Sequence, residues 1–166
     1  MYRRILVPFD GGETSQQGLR EAIQLATELQ AELRILVVVD TSELHMGFAS
    51  ADGLLSTVAL MRQRSQELAA AACTQAHEAG ARADFVVRDI GADQVADLVL
   101  AEADEYQAEL IVMGTHGRRG LSRAALGSEA ESVSRRSKVP LLLVRTPQGK
   151  PSVLAPDVPT RLQTSG

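Results

Sequence analysis

The chain has 166 residues, 17 Lys and Arg against 21 Asp and Glu, and a net charge of −4. That length suits one domain and excludes a tandem of two α/β domains, while 45% hydrophobic and 23% charged residues exclude global disorder. Apolar runs fall short of the ~20 residues of a membrane helix, the start Met1-Tyr2-Arg3-Arg4-Ile5-Leu6-Val7-Pro8 has no signal-peptide core, and a single cysteine, Cys73, excludes an intrachain disulfide framework or a cysteine metal cluster.

Arg4-Ile5-Leu6-Val7-Pro8-Phe9, ended by Pro8 and Gly11-Gly12, reads as a buried strand. Over residues 14–30, Leu19, Ala22, Ile23, Ala26 and Leu29 keep helical spacing, with Thr14 or Ser15 as the expected N-cap. Leu33-Arg34-Ile35-Leu36-Val37-Val38-Val39 is too apolar for a half-exposed strand and reads as a central parallel one. Residues 41–52 read as a loop. A long helix follows from 54 to about 78, closed by Gly80. Ala83-Asp84-Phe85-Val86-Val87 is a third strand, and Asp93 is placed to cap a helix reaching Tyr106. Glu109-Leu110-Ile111-Val112-Met113 is a fourth strand, 114–127 a loop rich in Gly and Arg, 128–136 a short helix, and 139–144 a fifth strand. Four of the six prolines fall in residues 146–166, which read as a flexible tail outside a domain of residues 1–145.

Alternating strands and helices imply an α/β fold: a five-stranded parallel sheet with helices on both faces, in a doubly wound order such as 3-2-1-4-5. Ligands of such sheets bind beyond the carboxyl ends of the strands, where the order reverses. Here that lies between the first and fourth strands, followed by Pro8-Phe9-Asp10-Gly11-Gly12 and Gly114-Thr115-His116-Gly117-Arg118-Arg119-Gly120. Gly114 and Gly117 permit close approach of a ligand, and Gly127-Ser128 opens a helix whose amides favour phosphate oxygens. Residues 114–138 hold six basic side chains (Arg118, Arg119, Arg123, Arg135, Arg136, Lys138) and two acids (Glu129, Glu131), a local +4 that suggests an anion site. The acidic total argues against a generic nucleic-acid binder. Lysine occurs at Lys138 and Lys150, and no Gly-Lys-Ser/Thr exists, so a P-loop is excluded.

Three stretches in order, Ile5-Leu6-Val7-Pro8-Phe9-Asp10, Gly114-x2-Gly117-x9-Gly127-Ser128 and Val139-Pro140-Leu141-Leu142-Leu143-Val144-Arg145, resemble the universal stress protein family, in its ATP-binding branch. The resemblance covers about residues 1–145 and implies a Rossmann-like fold similar to the adenine nucleotide alpha hydrolases. It implies ATP, with a divalent ion such as Mg or Mn, as ligand. Asp10 and the Pro8-Phe9 backbone would line the adenine side and Val38 would contact adenine through its main chain. Met113, Gly114, His116, Gly117 and Arg118 would surround ribose and phosphate. Gly127, Ser128, Glu129 and Ala130 would hold the phosphates. The resemblance also implies a homodimer through the last strand, residues 139–145, a cytoplasmic location and a role in stress response. Two positions depart from the family pattern. Gly12 stands where a hydroxyl is frequent, and Glu129 stands where a small residue is usual, as a carboxylate that would compete with phosphate for the same amides.

Asp10 has no partnered base, so binding is the better reading than catalysis. His116 reads as an exposed loop residue, His45 and His77 as surface residues, and Cys73 as a small core residue. No catalytic residue or metal ligand is expected. The functional expectation is a nucleotide-responsive regulator with no or very slow hydrolysis. The alternatives are a dimeric interaction module that has lost nucleotide binding and a slow ATP hydrolase.

Overall fold

Strand and helix alternate strictly along the chain in a computed structural model that describes residues 1–41, 51–90, 94–115 and 126–145. The strands are β1 (Arg4–Pro8), β2 (Glu32–Val39), β3 (Arg82–Asp89), β4 (Leu110–Gly114) and β5 (Leu141–Val144). The helices are α1 (Glu13–Leu29), α2 (Ala51–Glu78), α3 (Val95–Tyr106) and α4 (Ser128–Arg136). All pairings are parallel and the order is β3-β2-β1-β4-β5, the doubly wound order expected from the alternation.

Successive side chains of a strand point to opposite faces, and here both faces are covered. Ile5, Val7, Leu33, Ile35 and Val37 lie in the same cluster as the buried side of α1 and Ala69, Ala72, Cys73 and Ala76 of α2. Leu6, Leu36, Ile111 and Met113 pack with Ala96, Val99, Ala130 and Val133 of α3 and α4 on the other face. The core is aliphatic, with Phe9 its one fully buried aromatic among the described residues. Cys73 belongs to it, as expected, and burial pushes its thiol pKa upward, with Asp84 adding to the shift.

The helix ends differ from those the sequence suggests. The N-cap of α1 is Gly12, not Thr14 or Ser15, which lie inside the first turn. The expected Asp93 cap of α3 lies outside the described residues, and Gln94 holds the N-cap, its amide donating to Asp97 Oδ2 at 2.9 Å. α2 begins at Ala51, earlier than its apolar spacing indicates, and its 28 residues run ~42 Å at 1.5 Å per residue. Arg62 pairs with Asp89, the last residue of β3, so the turns before it overhang the carboxyl ends of the strands and leave Leu55 and Leu60 exposed. β5 starts at Leu141 because Pro140 has no amide to donate, although its carbonyl still accepts from Ile111 N at 3.0 Å. Among the described residues no helix is long and apolar enough to cross a membrane.

Candidate functional site

β1 and β4 pair at Ile5–Leu110 and Leu6–Ile111, yet β1 runs on to Pro8 and β4 to Gly114. The pairing therefore stops short of the carboxyl ends, where the strand order reverses. Phe9 N instead donates to Leu36 O of β2 at 2.8 Å, carrying the chain away from β4. The ends of the two strands are thus left unpaired with each other, at the point where a sheet of this order has its ligand crevice.

One wall is built by Asp10. Its Oδ1 accepts from Gly12 N at 2.8 Å and from the Ser15 hydroxyl, and Ser15 Oγ lies 3.0 Å from Gly12 O. Ser15 is buried. The carboxylate thus folds the β1–α1 turn in the absence of a side-chain cap at Gly12. Gly11, at φ +77, supplies the left-handed residue that this turn needs.

The other wall follows β4. Gly114 is packed against the first turn of α1, and Gly18 of α1 faces the Gly114 amide, so α1 closes this side of the crevice at backbone contact. Thr115, 4% exposed, donates its amide to Val144 O at 3.0 Å and accepts from Gly127 N at 2.8 Å. That second bond brings the start of α4 directly to the end of β4. Ser128, exposed, is the first residue of α4, and the amides of Ser128, Glu129 and Ala130 have no partner within the helix.

Most of the expected residues converge here, in different states. Asp10, Gly114, Gly127 and Ser128 edge the crevice; Pro8 and Val38 are half-buried at strand ends. The Phe9 side chain and Met113 are core, on opposite faces, and Ala130 is buried beneath α4. His116, Gly117 and Arg118 lie outside the described residues, as do Arg119, Arg123 and His45. His77 is exposed at the far end of α2, 2.8 Å from Ala83 O. Thr14, Ser15, Gly18 and Thr115 hold the site's geometry in roles that the sequence does not assign them; for Ser15 the Asp-x4-Ser spacing across a Gly-Gly turn is the available signal.

Of the six basic residues behind the +4, Arg135 pairs with Glu131 at 2.6 Å, Arg136 with Asp97 at 2.6 Å, and Lys138 lies 3.7 Å from Asp104. These three sit at the carboxyl end of α4 or beyond it, away from the crevice. Glu129 does not turn back on the amides of its own helix: its Oε2 accepts from Ala96 N of α3 at 3.0 Å. Among the described residues no group of three or more His, Cys, Asp and Glu is placed to hold a metal ion. A shallow cleft of about 500 Å³ opens at the opposite, amino-terminal end of the sheet, beside Tyr2, Arg4, Gln30 and Arg82, far from the reversal point.

A doubly wound α/β protein with its crevice at the reversal point is the class this geometry defines. The model of the Universal stress protein family matches residues 1–145, and the chain belongs to that family. It is 31% identical over 149 residues to universal stress protein MJ0531 of Methanocaldococcus jannaschii, spanning 89% of this chain and 85% of that one. YxiE of Bacillus subtilis is 32% identical over 151 residues, covering 87% and 100%. Among solved structures, MJ0577 superposes with a TM-score of 0.78 at 22% identity, over 88% of this chain and 97% of that one. A universal stress protein from Archaeoglobus fulgidus in complex with dAMP gives 0.60 at 21% identity, over 86% and 98%. Another in complex with cAMP gives 0.56 at 24%, over 87% and 97%. At these identities the structural likeness shows the shared fold.

Proposed function

We propose that this universal stress protein binds an adenine nucleotide, ATP by the resemblance of its glycine motif, in the crevice between the β1 and β4 loops, and acts as a nucleotide-responsive regulator in the stress response. The observation that carries the reading is the Gly127 N to Thr115 O bond. It sets the amino terminus of α4, with the exposed Ser128 hydroxyl, beside the end of β4 and across from the Asp10 turn. Helix amides and a hydroxyl at that place suit a phosphate group. The dAMP and cAMP complexes of proteins with the same fold support an adenine nucleotide as the ligand class.

In this reading the Ser128 hydroxyl and the amides of Glu129 and Ala130 hold phosphate, Gly117 and Arg118 contact ribose and phosphate as the family resemblance implies, and the main chain at Pro8, Phe9 and Val38 flanks the base. Asp10 keeps the β1–α1 turn in shape and faces the nucleoside. When bound, the nucleotide brings its negative charge, and with it any divalent ion its phosphates carry. The reading is a regulator rather than a hydrolase because Asp10, the carboxylate that follows β1, is engaged in folding its own turn, accepting from Gly12 N and the Ser15 hydroxyl.

The same reading includes a cytoplasmic homodimer joined through residues 139–145. The two sheet edges differ in a way that supports it. β3 carries Arg82, Asp84, Arg88 and Asp89 along its length, charges that discourage strand addition. β5 reads Leu141-Leu142-Leu143-Val144, apolar throughout and half-buried.

Calorimetry with ATP and AMP tests the site. Binding should occur below millimolar, should raise the thermal midpoint by mass action, and should weaken at least about tenfold in Ser128→Val or Gly117→Val, the worth of one charged hydrogen bond or more. A thermal midpoint indifferent to both nucleotides at millimolar concentration would instead identify an interaction module without nucleotide binding. Steady phosphate release that falls in Asp10→Asn would identify a hydrolase.

A further inference from the structure

We infer that Glu129 is the specificity-determining residue of this crevice, biasing it toward a nucleotide of low charge, a nucleoside monophosphate, over a triphosphate. The inference rests on the nucleotide reading above and concerns which member of that class the site prefers.

Glu129 follows Ser128 directly and stands in the first turn of α4, where the phosphate would sit. A free carboxylate there could rotate into solvent and be screened. This one is held: its Oε2 accepts from Ala96 N, at the second position of α3, and Ala96 is fully buried. The opposite end of α4 is tied to the same turn of α3, because Arg136 pairs with Asp97 at 2.6 Å and Asp97 also accepts from Gln94 N. With both ends of α4 pinned, the carboxylate stays one residue from the anion site.

The tie has two consequences. The amides of α4 are not consumed by Glu129, so a phosphate can still use them. The negative charge nevertheless remains beside that phosphate, and among the described residues the basic side chains of α4, Arg135 and Arg136, are paired at the other end of the helix. Each further phosphate charge therefore adds repulsion that a monophosphate avoids. Across several ångströms of partly wet surface, two extra charges correspond to about a threefold to tenfold penalty.

The test measures dissociation constants of AMP and ATP at one fixed ionic strength for the wild-type chain, Glu129→Gln and Glu131→Gln. Gln keeps an oxygen acceptor for Ala96 N while removing the charge, and slow hydrogen exchange at Ala96 confirms that the tie survives. Glu131, exposed and paired with Arg135, is the control for helix charge in general. The wild-type chain should bind AMP at least as tightly as ATP. Glu129→Gln should shift the ratio toward ATP by about threefold to tenfold, and Glu131→Gln should leave it within about twofold, as expected for an exposed pair. An unchanged ratio in Glu129→Gln, or an equal shift in Glu131→Gln, overturns the assignment while leaving nucleotide binding intact. Absence of binding by wild type and variants alike overturns the nucleotide reading and this inference with it.

Discussion

The carbonyl oxygen of Thr14 lies 2.7 Å from where a Cβ on Gly114 would stand. The contact is backbone against backbone, so neither side can yield by turning a rotamer. Gly114 is thus glycine because α1 rests on the end of β4, a packing reason that precedes any contact with ligand. Gly114→Ala should cost about 1–3 kcal/mol, the usual price of overpacking, read as a lowered urea midpoint with unchanged slope. Gly12 makes the contrast. It caps α1 in extended backbone, at φ −73, that any residue adopts. Gly12→Ser should therefore be neutral or stabilising by about a few tenths of a kcal/mol.

Glu102 is 1% exposed and accepts from both Arg34, at 3.2 Å, and Arg88, at 2.7 Å. Arg34 is also bound to Asp84, with Nε to Oδ1 at 2.9 Å, and stacks 4.2 Å above the Tyr106 ring. Arg88 reaches Glu105 at 2.6 Å. This network fastens α3 to β2 and β3. Glu102→Ala should cost about 2–4 kcal/mol, less than an isolated buried pair because both arginines keep a second carboxylate and touch water. The loss should vary little with salt, since the carboxylate is buried. A double-mutant cycle with Arg88→Ala measures the coupling directly.

Three helices end alike. Gln30 at φ 54, Gly80 at φ 84 and Gln107 at φ 53 each take a left-handed conformation, and each is followed by a buried alanine whose amide returns to the last turn. Left-handed backbone costs a side-chain-bearing residue about 1 kcal/mol that glycine escapes. Gln30→Gly and Gln107→Gly should each stabilise by about 0.5–1 kcal/mol after glycine's extra unfolded-state entropy is counted. Gly80→Ala should destabilise by a similar amount. Thermal or urea unfolding of the three variants is sufficient.

These helix ends show where the sequence is readable. Gly80 announces its turn because glycine at a helix end has one common purpose, whereas Gln30 and Gln107 carry no such mark and are bent by the strands that follow them. Strand order was legible because apolar runs alternate with helical spacing. The start of α2 was not, since the exposed Asp52 adds no apolar position to the helical spacing that would mark it. At the crevice, glycine spacing brought Gly114, Gly127 and Ser128 into view. The partners that arrange them, Thr14 on Gly114 and Thr115 on Gly127, depend on contacts between elements that no local pattern encodes. Local charge has the same limit: Arg135, Arg136 and Lys138 are answered by acids that lie close in space, two of them distant in sequence, which a count of charges along the chain does not register.

Tyr106 gives an alkaline signature. Burial raises its phenol pKa to about 12 from the usual 10.0, with the carboxylates of Asp84 and Glu32 adding and Arg34 and Arg4 partly opposing. The unfolded chain therefore loses this proton first as pH rises. Stability is unaffected by Tyr106 below about pH 10 and falls between about 10 and about 12, where the folded protein still holds the proton. The stability curves of the wild type and Tyr106→Phe should run parallel below that window, and the wild type should lose stability relative to the variant within it.

The edge of β5 provides a test of assembly separate from ligand binding. Ile111 N donates to Pro140 O and Thr115 N to Val144 O, which sets the phase of the strand. Residues of even number direct their carbonyls to β4, so Leu141 and Leu143 present their backbone groups to the open edge. Proline at an outward-facing edge position removes no bond within the sheet. Leu143→Pro should therefore keep the monomer's circular dichroism and lose about 1–2 kcal/mol, the packing of the half-buried leucine against the core, while removing a donor that a second strand would need. If two copies pair through this edge, the variant sediments as a monomer where the wild type sediments as a dimer. A dimer of equal strength in both proteins would place the interface elsewhere on the chain.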